Sequence, residues 1–103
     1  MATKRRLKIY PLAQSDLEGV FAYISETLKN PTAAAALIDD FEKAFDTICM
    51  FPESCPFVDN SYVKDKSLRK LIVNNYIAFF RVKGAEIQVV RVLYGMRNYQ
   101  ELL

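Results

Sequence analysis

The sequence predicts an α+β fold, in which an N-terminal strand and an antiparallel helix hairpin pack on a three-stranded antiparallel β meander. Three observations predict it: two segments with apolar residues at steps of three and four, an Asn-Pro break between them, and a final third rich in β-branched and aromatic residues with two short turns. Residues 1–103 should form one domain, because a second core would have too few residues to bury.

The first half of the chain predicts a strand and two helices. Residues 5–10 form the strand, which Pro11 ends, and the first helix runs from about residue 13. Asn30-Pro31 breaks this helix, and Thr32 is the expected N-cap of the next. The apolar stripe of the first helix is Leu17, Val20, Phe21, Ile24 and Leu28; that of the second is Ala34, Leu37, Ile38, Phe41, Ala44, Phe45 and Ile48. The second helix ends before Pro52, and a loop follows to about residue 66.

The last third predicts strands at residues 68–73, 76–82 and 87–94. If Gly84-Ala85 is a two-residue hairpin loop, Val82 lies opposite Ile87, Phe80 opposite Val89, and Ala78 opposite Arg91. One face then carries Tyr76, Ala78, Phe80, Val82, Ile87, Val89, Arg91 and Leu93, and the other carries Ile77, Phe79, Arg81, Gln88, Val90, Val92 and Tyr94. Both faces are mostly apolar. The helices can cover only one, so the second needs another cover or is a binding surface.

Charge is unevenly distributed along the chain. Residues 4–8 hold four basic side chains and residues 64–97 hold eight, whereas residues 15–59 hold nine acidic side chains against Lys29 and Lys43. A fold that gathers the two ends would have one basic face. The alternative is ordinary solvated charge.

Several classes of chemistry are excluded by composition. The chain has no histidine, which removes Ser-His-Asp and Cys-His catalysis, the histidine base of common ribonucleases and most zinc sites. It has no glycine-rich phosphate loop, and we expect neither a metal nor a cofactor. Cys49 and Cys55 should be reduced thiols, since no signal peptide or membrane span is visible and the protein should stay in the cytoplasm.

A set of basic and aromatic residues on or near the meander remains as the candidate site. Arginine forks match phosphate oxygens, and tyrosine rings stack on unpaired bases. Arg91 interrupts an apolar strand, so its guanidinium is either held for a purpose or paired with a helix carboxylate. The candidates are Arg69, Lys70, Arg81, Arg91, Tyr94, Arg97 and Tyr99.

The layout resembles the RelE/ParE superfamily of bacterial toxins. The likeness rests on the proline after the first strand, Asp16-Leu17 early in the first helix, the Pro52 stop, the meander at residues 68–82, and the closing residues 91–99 with Leu102-Leu103. One branch of this superfamily cleaves mRNA in the ribosomal A site, and the other poisons DNA gyrase. Ile77 stands where the ribonuclease branch has an arginine, and Leu68 where it has a second lysine. Arg69 and the closing residues 93–98 look more like the ParE and plasmid-stabilisation branch, in which many members carry a histidine at the position of Tyr94.

The resemblance implies a toxin that a small, partly disordered antitoxin wraps and neutralises in a hetero-oligomer, with Ile77, Phe79, Val90 and Val92 as its docking residues. The target would be DNA gyrase, contacted through Arg69, Arg81, Arg91, Tyr94, Arg97 and Tyr99. The alternatives are a ribosome-dependent endoribonuclease that uses Arg69, Lys70, Arg91, Arg97 and Tyr99, or an inactive member of the same fold.

Overall fold

The computed structural model describes residues 4–58 and 64–95, and it confirms the α+β fold. The elements are β1 (Arg6–Ile9), α1 (Pro11–Ala22), a π-helical turn (Tyr23–Thr27), α2 (Pro31–Met50), a 3₁₀ turn (Pro52–Ser54), β2 (Arg69–Val73), β3 (Tyr76–Lys83) and β4 (Glu86–Tyr94). Residues 96–103, which include part of the closing segment that resembles the toxin superfamily, lie outside the described residues.

Both helices begin with proline. Pro11 is the first residue of α1, two residues before the predicted start, because proline lacks the N–H that a first turn leaves unpaired. The predicted cap at Thr32 is wrong. The Asn30 side chain accepts a 3.1 Å hydrogen bond from the Ala33 backbone N–H, which leaves Pro31 in the first turn.

The sheet has four strands in the order β1-β4-β3-β2, and β1 joins the meander as a fourth strand parallel to β4. Leu7 lies opposite Ile87, and Ile9 opposite Val89. The sequence predicted β1 but not its partner. This pairing places the basic N-terminus beside the basic C-terminal strands.

The predicted hairpin register is correct only near its turn. Val82 pairs with Ile87 and Phe80 with Val89, but Ala78 pairs with Val92, because a bulge at Val90 shifts the register. The extra residue moves every later side chain of β4 to the other face. The predicted faces of Arg91, Val92, Leu93 and Tyr94 are therefore wrong.

Apolar side chains fill both sides of the sheet. The larger core lies between the sheet and the helices and includes Phe41, Phe45, Ile48, Phe80, Ile87, Val89 and Val92. On the other side, Phe79 and Leu93 pack with Val58 and Leu68 from the segment after α2. The Val58 N–H donates to the Leu68 carbonyl at 2.9 Å and ties that segment together. The chain thus covers part of the second face itself, while Ile72 on the same face is 66% exposed.

Cys49 and Cys55 are free and buried, and burial raises the pKa of both thiols. Within residues 4–58 and 64–95, no helix is both long enough and apolar enough to cross a membrane.

Candidate functional site

The fold separates charge into two layers. Residues 11–54, which include both helices, carry eight acidic and two basic side chains. Residues 4–9 and 64–95, which include all four strands, carry eleven basic and two acidic side chains. The parallel pairing of β1 with β4 gathers the two basic ends of the chain on one sheet.

Strand register places basic residues in three rows on the sheet face that lies away from the helices. Residues directly opposite one another on neighbouring strands share a face. The rows are Arg6–Glu86–Lys83, Lys8–Gln88–Arg81 and Arg91–Phe79–Lys70. Two basic side chains flank one central residue in each row. We call the six basic residues Arg6, Lys8, Lys70, Arg81, Lys83 and Arg91 the basic sheet face.

Arg81 lies at the centre of a hydrogen-bond network on this face. Its guanidinium donates to Asp65 Oδ2 at 2.8 Å, to Gln88 Oε1 at 2.6 Å and to the Tyr10 hydroxyl at 3.1 Å. Hydrogen bonds from Ser67 first, and then from Arg81, lower the pKa of the Asp65 carboxyl. The network holds Arg81 with little freedom to turn toward another ligand.

Arg91 pairs with a helix carboxylate. Its Nε and Nη2 donate to Asp16 at 2.8 and 3.1 Å, and the Val92 backbone N–H donates to the same carboxylate at 2.9 Å. Because β1 pairs with β4 only as far as Val89, the edge of β4 beyond it has no neighbouring strand in the described part of the chain. The Asp16 carboxylate accepts the Val92 N–H that a neighbouring strand would otherwise pair with. Of the two interpretations of Arg91, the structure shows the carboxylate pair.

Arg81 and Arg91 line a common open cavity of about 480 Å³ with Tyr10, Leu12, Leu68 and Val90. The floor of this cavity is apolar and its charged groups are already paired. It can accept a side chain or backbone that brings apolar surface, whereas an anionic group would have to displace Asp65 from Arg81.

The other predicted contact residues do not join this cavity. Arg69 donates to the Cys55 carbonyl at 2.7 Å and stacks on the Phe57 ring at 3.9 Å. Lys70 lies on the basic sheet face, opposite Phe79. Tyr94 lies on the helix side, edge to face with Tyr76 at 5.7 Å. Arg97 and Tyr99 fall outside the described residues.

The four predicted antitoxin contacts divide into two groups. Ile77 and Val90 are half-buried on the second face, where they pack against the smaller core. Phe79 is fully buried beneath them. Val92 belongs to the larger core on the helix side, as a consequence of the bulge.

Sequence reasoning missed five residues of this surface: Arg6, Lys8, Tyr10, Asp65 and Lys83. No local pattern connects Tyr10 to Arg81, since the contact exists only because β1 lies beside β4. The alternation of Arg6 and Lys8 along β1 was the one available signal. In the described part of the chain, no group of three acidic or cysteine side chains is placed to hold a metal ion.

The fold occurs in solved toxin–antitoxin structures. A chain of the chromosomal ParDE TA system from P. aeruginosa matches with a TM-score of 0.72 at 22% identity, over 88% of this chain and 96% of that one. A chain of the toxin–antitoxin complex RelBE2 from Mycobacterium tuberculosis matches with a TM-score of 0.62 at 15% identity, over 89% and 99%. At these identities the likeness establishes the fold alone. No curated protein sequence matches the chain.

The architecture is therefore that of the RelE/ParE-like toxins. A sequence model of the ParE toxin of type II toxin–antitoxin systems, parDE, matches residues 7–99. The chain belongs to the ParE toxin family, which confirms the resemblance and its assignment to the ParE branch.

Proposed function

We propose that this ParE-family toxin inhibits growth by binding DNA gyrase through its basic sheet face, and that a cognate antitoxin neutralises it in the cytoplasm. The observation that carries the proposal is the three rows of basic residues on one face of the sheet. A surface of one charge sign speeds encounter with an anionic partner and orients it. A gyrase–DNA complex offers such a partner.

The ion pairs made by Arg81 and Arg91 favour a toxin that binds its target and does not catalyse a reaction. Arg81 is engaged by Asp65 and Arg91 by Asp16, so neither is free to stabilise a developing charge without first breaking an ion pair. The chain also has no histidine to serve as a general base.

Supercoiling by purified gyrase tests this proposal. We expect wild-type protein to inhibit the reaction, and the double variant Lys8→Glu/Lys83→Glu to lose at least tenfold in potency, since both exposed side chains lie on the basic sheet face. The matched control Lys29→Glu/Lys43→Glu makes the same change in net charge in the helix layer and should keep its potency. Unchanged supercoiling at an excess of wild-type toxin would refute gyrase as the target.

A ribosome-dependent endoribonuclease is the second candidate, supported by the cavity that joins Tyr10, Arg81 and Arg91. Arg69, Lys70, Arg91, Arg97 and Tyr99 would then supply phosphate contacts, base stacking and charge stabilisation. Primer extension on ribosome-bound mRNA after induction tests it, and message without A-site cuts rules it out. An inactive member of the fold would cause no growth arrest when expressed without antitoxin.

For the antitoxin we propose the apolar part of the second sheet face, where exposed Ile72 lies opposite Ile77, and half-buried Ile77 and Val90 pack against the smaller core. Phe79 would support this surface from below, whereas Val92 now lies on the other side of the sheet. The solved P. aeruginosa relative is itself part of a toxin–antitoxin system. Ile72→Glu should weaken binding of the antitoxin, and Leu28→Glu, at an exposed apolar site in the helix layer, should not. Equal affinities of the two variants would remove this surface from the proposal.

A further inference from the structure

A cleft lined by tyrosines lies on the helix side of the sheet, away from the basic sheet face. It has a volume of about 620 Å³ and separates the middle of α1 from the ends of β3 and β4. Its walls include Tyr23, Tyr76 and Tyr94, with Asp16 and Gly19 on the helix side. None of the functional roles above uses this cleft.

Helix α1 carries a glycine, Gly19, where it borders the cleft. A Cβ built on Gly19 would meet no atom within 4 Å, so the space beside the helix is open.

The three phenols lie close to one another around this space. Tyr76 and Tyr94 meet edge to face with centroids 5.7 Å apart, and Phe41 supports Tyr76 from behind at 6.2 Å. Burial first, and then the neighbouring phenols of Tyr94 and Tyr23, raise the pKa of Tyr76. Tyr23 and Tyr94 remain 53% and 42% exposed, so their rings are accessible from solvent.

The electrostatics of the cleft favour a cation. Among the described residues that line it none is basic, and the one carboxylate, Asp16, is paired at 2.8 Å with Arg91, which does not line the cleft. The surrounding helix layer carries eight acidic side chains against two basic ones. Asp16 accepts three hydrogen bonds, which leaves acceptor capacity on a carboxylate that has about four lone-pair sites. Aromatic faces are electron-rich and attract guanidinium and ammonium groups.

We propose that this tyrosine cleft binds a guanidinium group, supplied by an arginine side chain of a partner protein. A planar guanidinium can stack on one ring while its N–H groups donate to the phenol oxygens and to Asp16. A nucleotide is disfavoured, because none of the described residues that line the cleft is basic and could pair with its phosphate. The proposal does not depend on the target of the toxin.

NMR titration of the full chain tests the proposal, with aromatic cross-peaks of Tyr23, Tyr76 and Tyr94 as the readout. The probe is N-acetyl-arginine methylamide, and its neutral control is the citrulline analogue, in which a urea replaces the guanidinium. A cation–π contact alone is too weak for millimolar affinity, but together with a charged hydrogen bond to Asp16 it corresponds to a Kd on the order of millimolar, so the titration should extend to about 30 mM. We expect saturable shifts of these cross-peaks with the arginine probe and none with the citrulline probe.

Two substitutions at one position separate binding from folding. Gly19→Leu places a side chain in the cleft and should abolish the shifts, while Gly19→Ala adds only a methyl group and should retain them. If Gly19→Leu perturbs the fold, Tyr23→Leu is the second variant. It changes an exposed site and should weaken binding of the arginine probe at least threefold. Equal shifts with both probes, binding of adenosine in preference to the arginine probe, or no shifts at all would each overturn the proposal.

Discussion

At the scale of single residues, Asp16 has the most structural consequences. Its carboxylate holds the Arg91 guanidinium with two hydrogen bonds and accepts a third from the Val92 backbone N–H. Both side chains of the ion pair are largely buried, with 17% and 20% exposure. One carboxylate therefore closes the unpaired edge of β4, neutralises an arginine and joins α1 to the sheet.

Asp16→Asn preserves the shape of the side chain but removes the charged acceptor of the Arg91 guanidinium. It should therefore lower the free energy of unfolding by about 2 kcal/mol. Urea denaturation measures this. Glu42→Gln, an exposed carboxamide substitution on α2, is the control and should stay within about 0.5 kcal/mol of wild type. If Asp16→Asn has no larger effect than Glu42→Gln, the ion pair does not contribute to stability as described.

Asp65 links stability to acid pH. Hydrogen bonds from Ser67 and Arg81 lower the pKa of its carboxyl below the ordinary value of 3.8, so the folded state favours the ionised form. The associated stability is fully present above pH 3.8 and is lost as pH falls through the depressed folded value. The stability gap between wild type and Asp65→Asn should be constant from neutral pH to about pH 5 and shrink below pH 4. A gap that is independent of pH would contradict the lowered pKa.

At the scale of elements, two glycines have opposite roles. Gly19 lies in the interior of α1 with open space around it, whereas Gly84 has φ +60° in the turn between β3 and β4. Backbone conformation should therefore decide the sign of an alanine substitution.

Thermal unfolding of the two alanine variants tests this contrast. Gly19→Ala should stabilise the protein by about 0.5–1 kcal/mol, and Gly84→Ala should destabilise it by about 1 kcal/mol, since alanine disfavours positive φ. Shifts of the same sign in both variants would contradict the backbone assignment at one of the two positions.

Local patterns in the sequence were sufficient for the elements but not for their assembly. Apolar periodicity predicted both helices, and the turn residues at 74–75 and 84–85 predicted the meander. Strand β4 is mostly apolar, and no residue pattern in it marks the bulge at Val90. The predicted register beyond Val89 was therefore wrong. Asn30 and Thr32 are both good caps, and the choice between them depends on where the chain turns after Lys29, whose φ is 52°.

The candidate site was less predictable than the fold. The predicted contact residues fall on two sides of the sheet, because Arg69 and Tyr94 face the helix side while Lys70, Arg81 and Arg91 lie on the basic sheet face. Partners that come from distant elements, such as Asp16 for Arg91 and Tyr10 for Arg81, depend on tertiary packing and cannot be derived from spacing.

At the scale of the whole molecule, the separation of an acidic helix layer from a basic sheet is the dominant feature. The net charge of +2 conceals it, because the opposite charges of the two layers nearly cancel. Anionic partners should approach the sheet and cationic ones the helices. The proposed gyrase contact and the proposed guanidinium cleft lie on these two different sides.

This polarity predicts a salt-dependent association with the target. Binding of the toxin to a gyrase–DNA complex should weaken at least tenfold between about 50 and 200 mM salt, because counterions compete for the basic sheet face. Lys8→Glu/Lys83→Glu should flatten this dependence, and Lys29→Glu/Lys43→Glu should leave it unchanged. A salt dependence that is the same in all three proteins would place the electrostatic contact elsewhere.

Trapping of gyrase–DNA cleavage complexes tests the central claim most directly. Purified toxin is incubated with gyrase, supercoiled plasmid and ATP, and the reaction is then denatured and treated with protease to reveal broken DNA. Linear plasmid should form in proportion to wild-type toxin, and little should form with the Lys8→Glu/Lys83→Glu variant. If the plasmid stays intact at an excess of wild-type toxin that is able to arrest growth, the toxin does not act by poisoning gyrase.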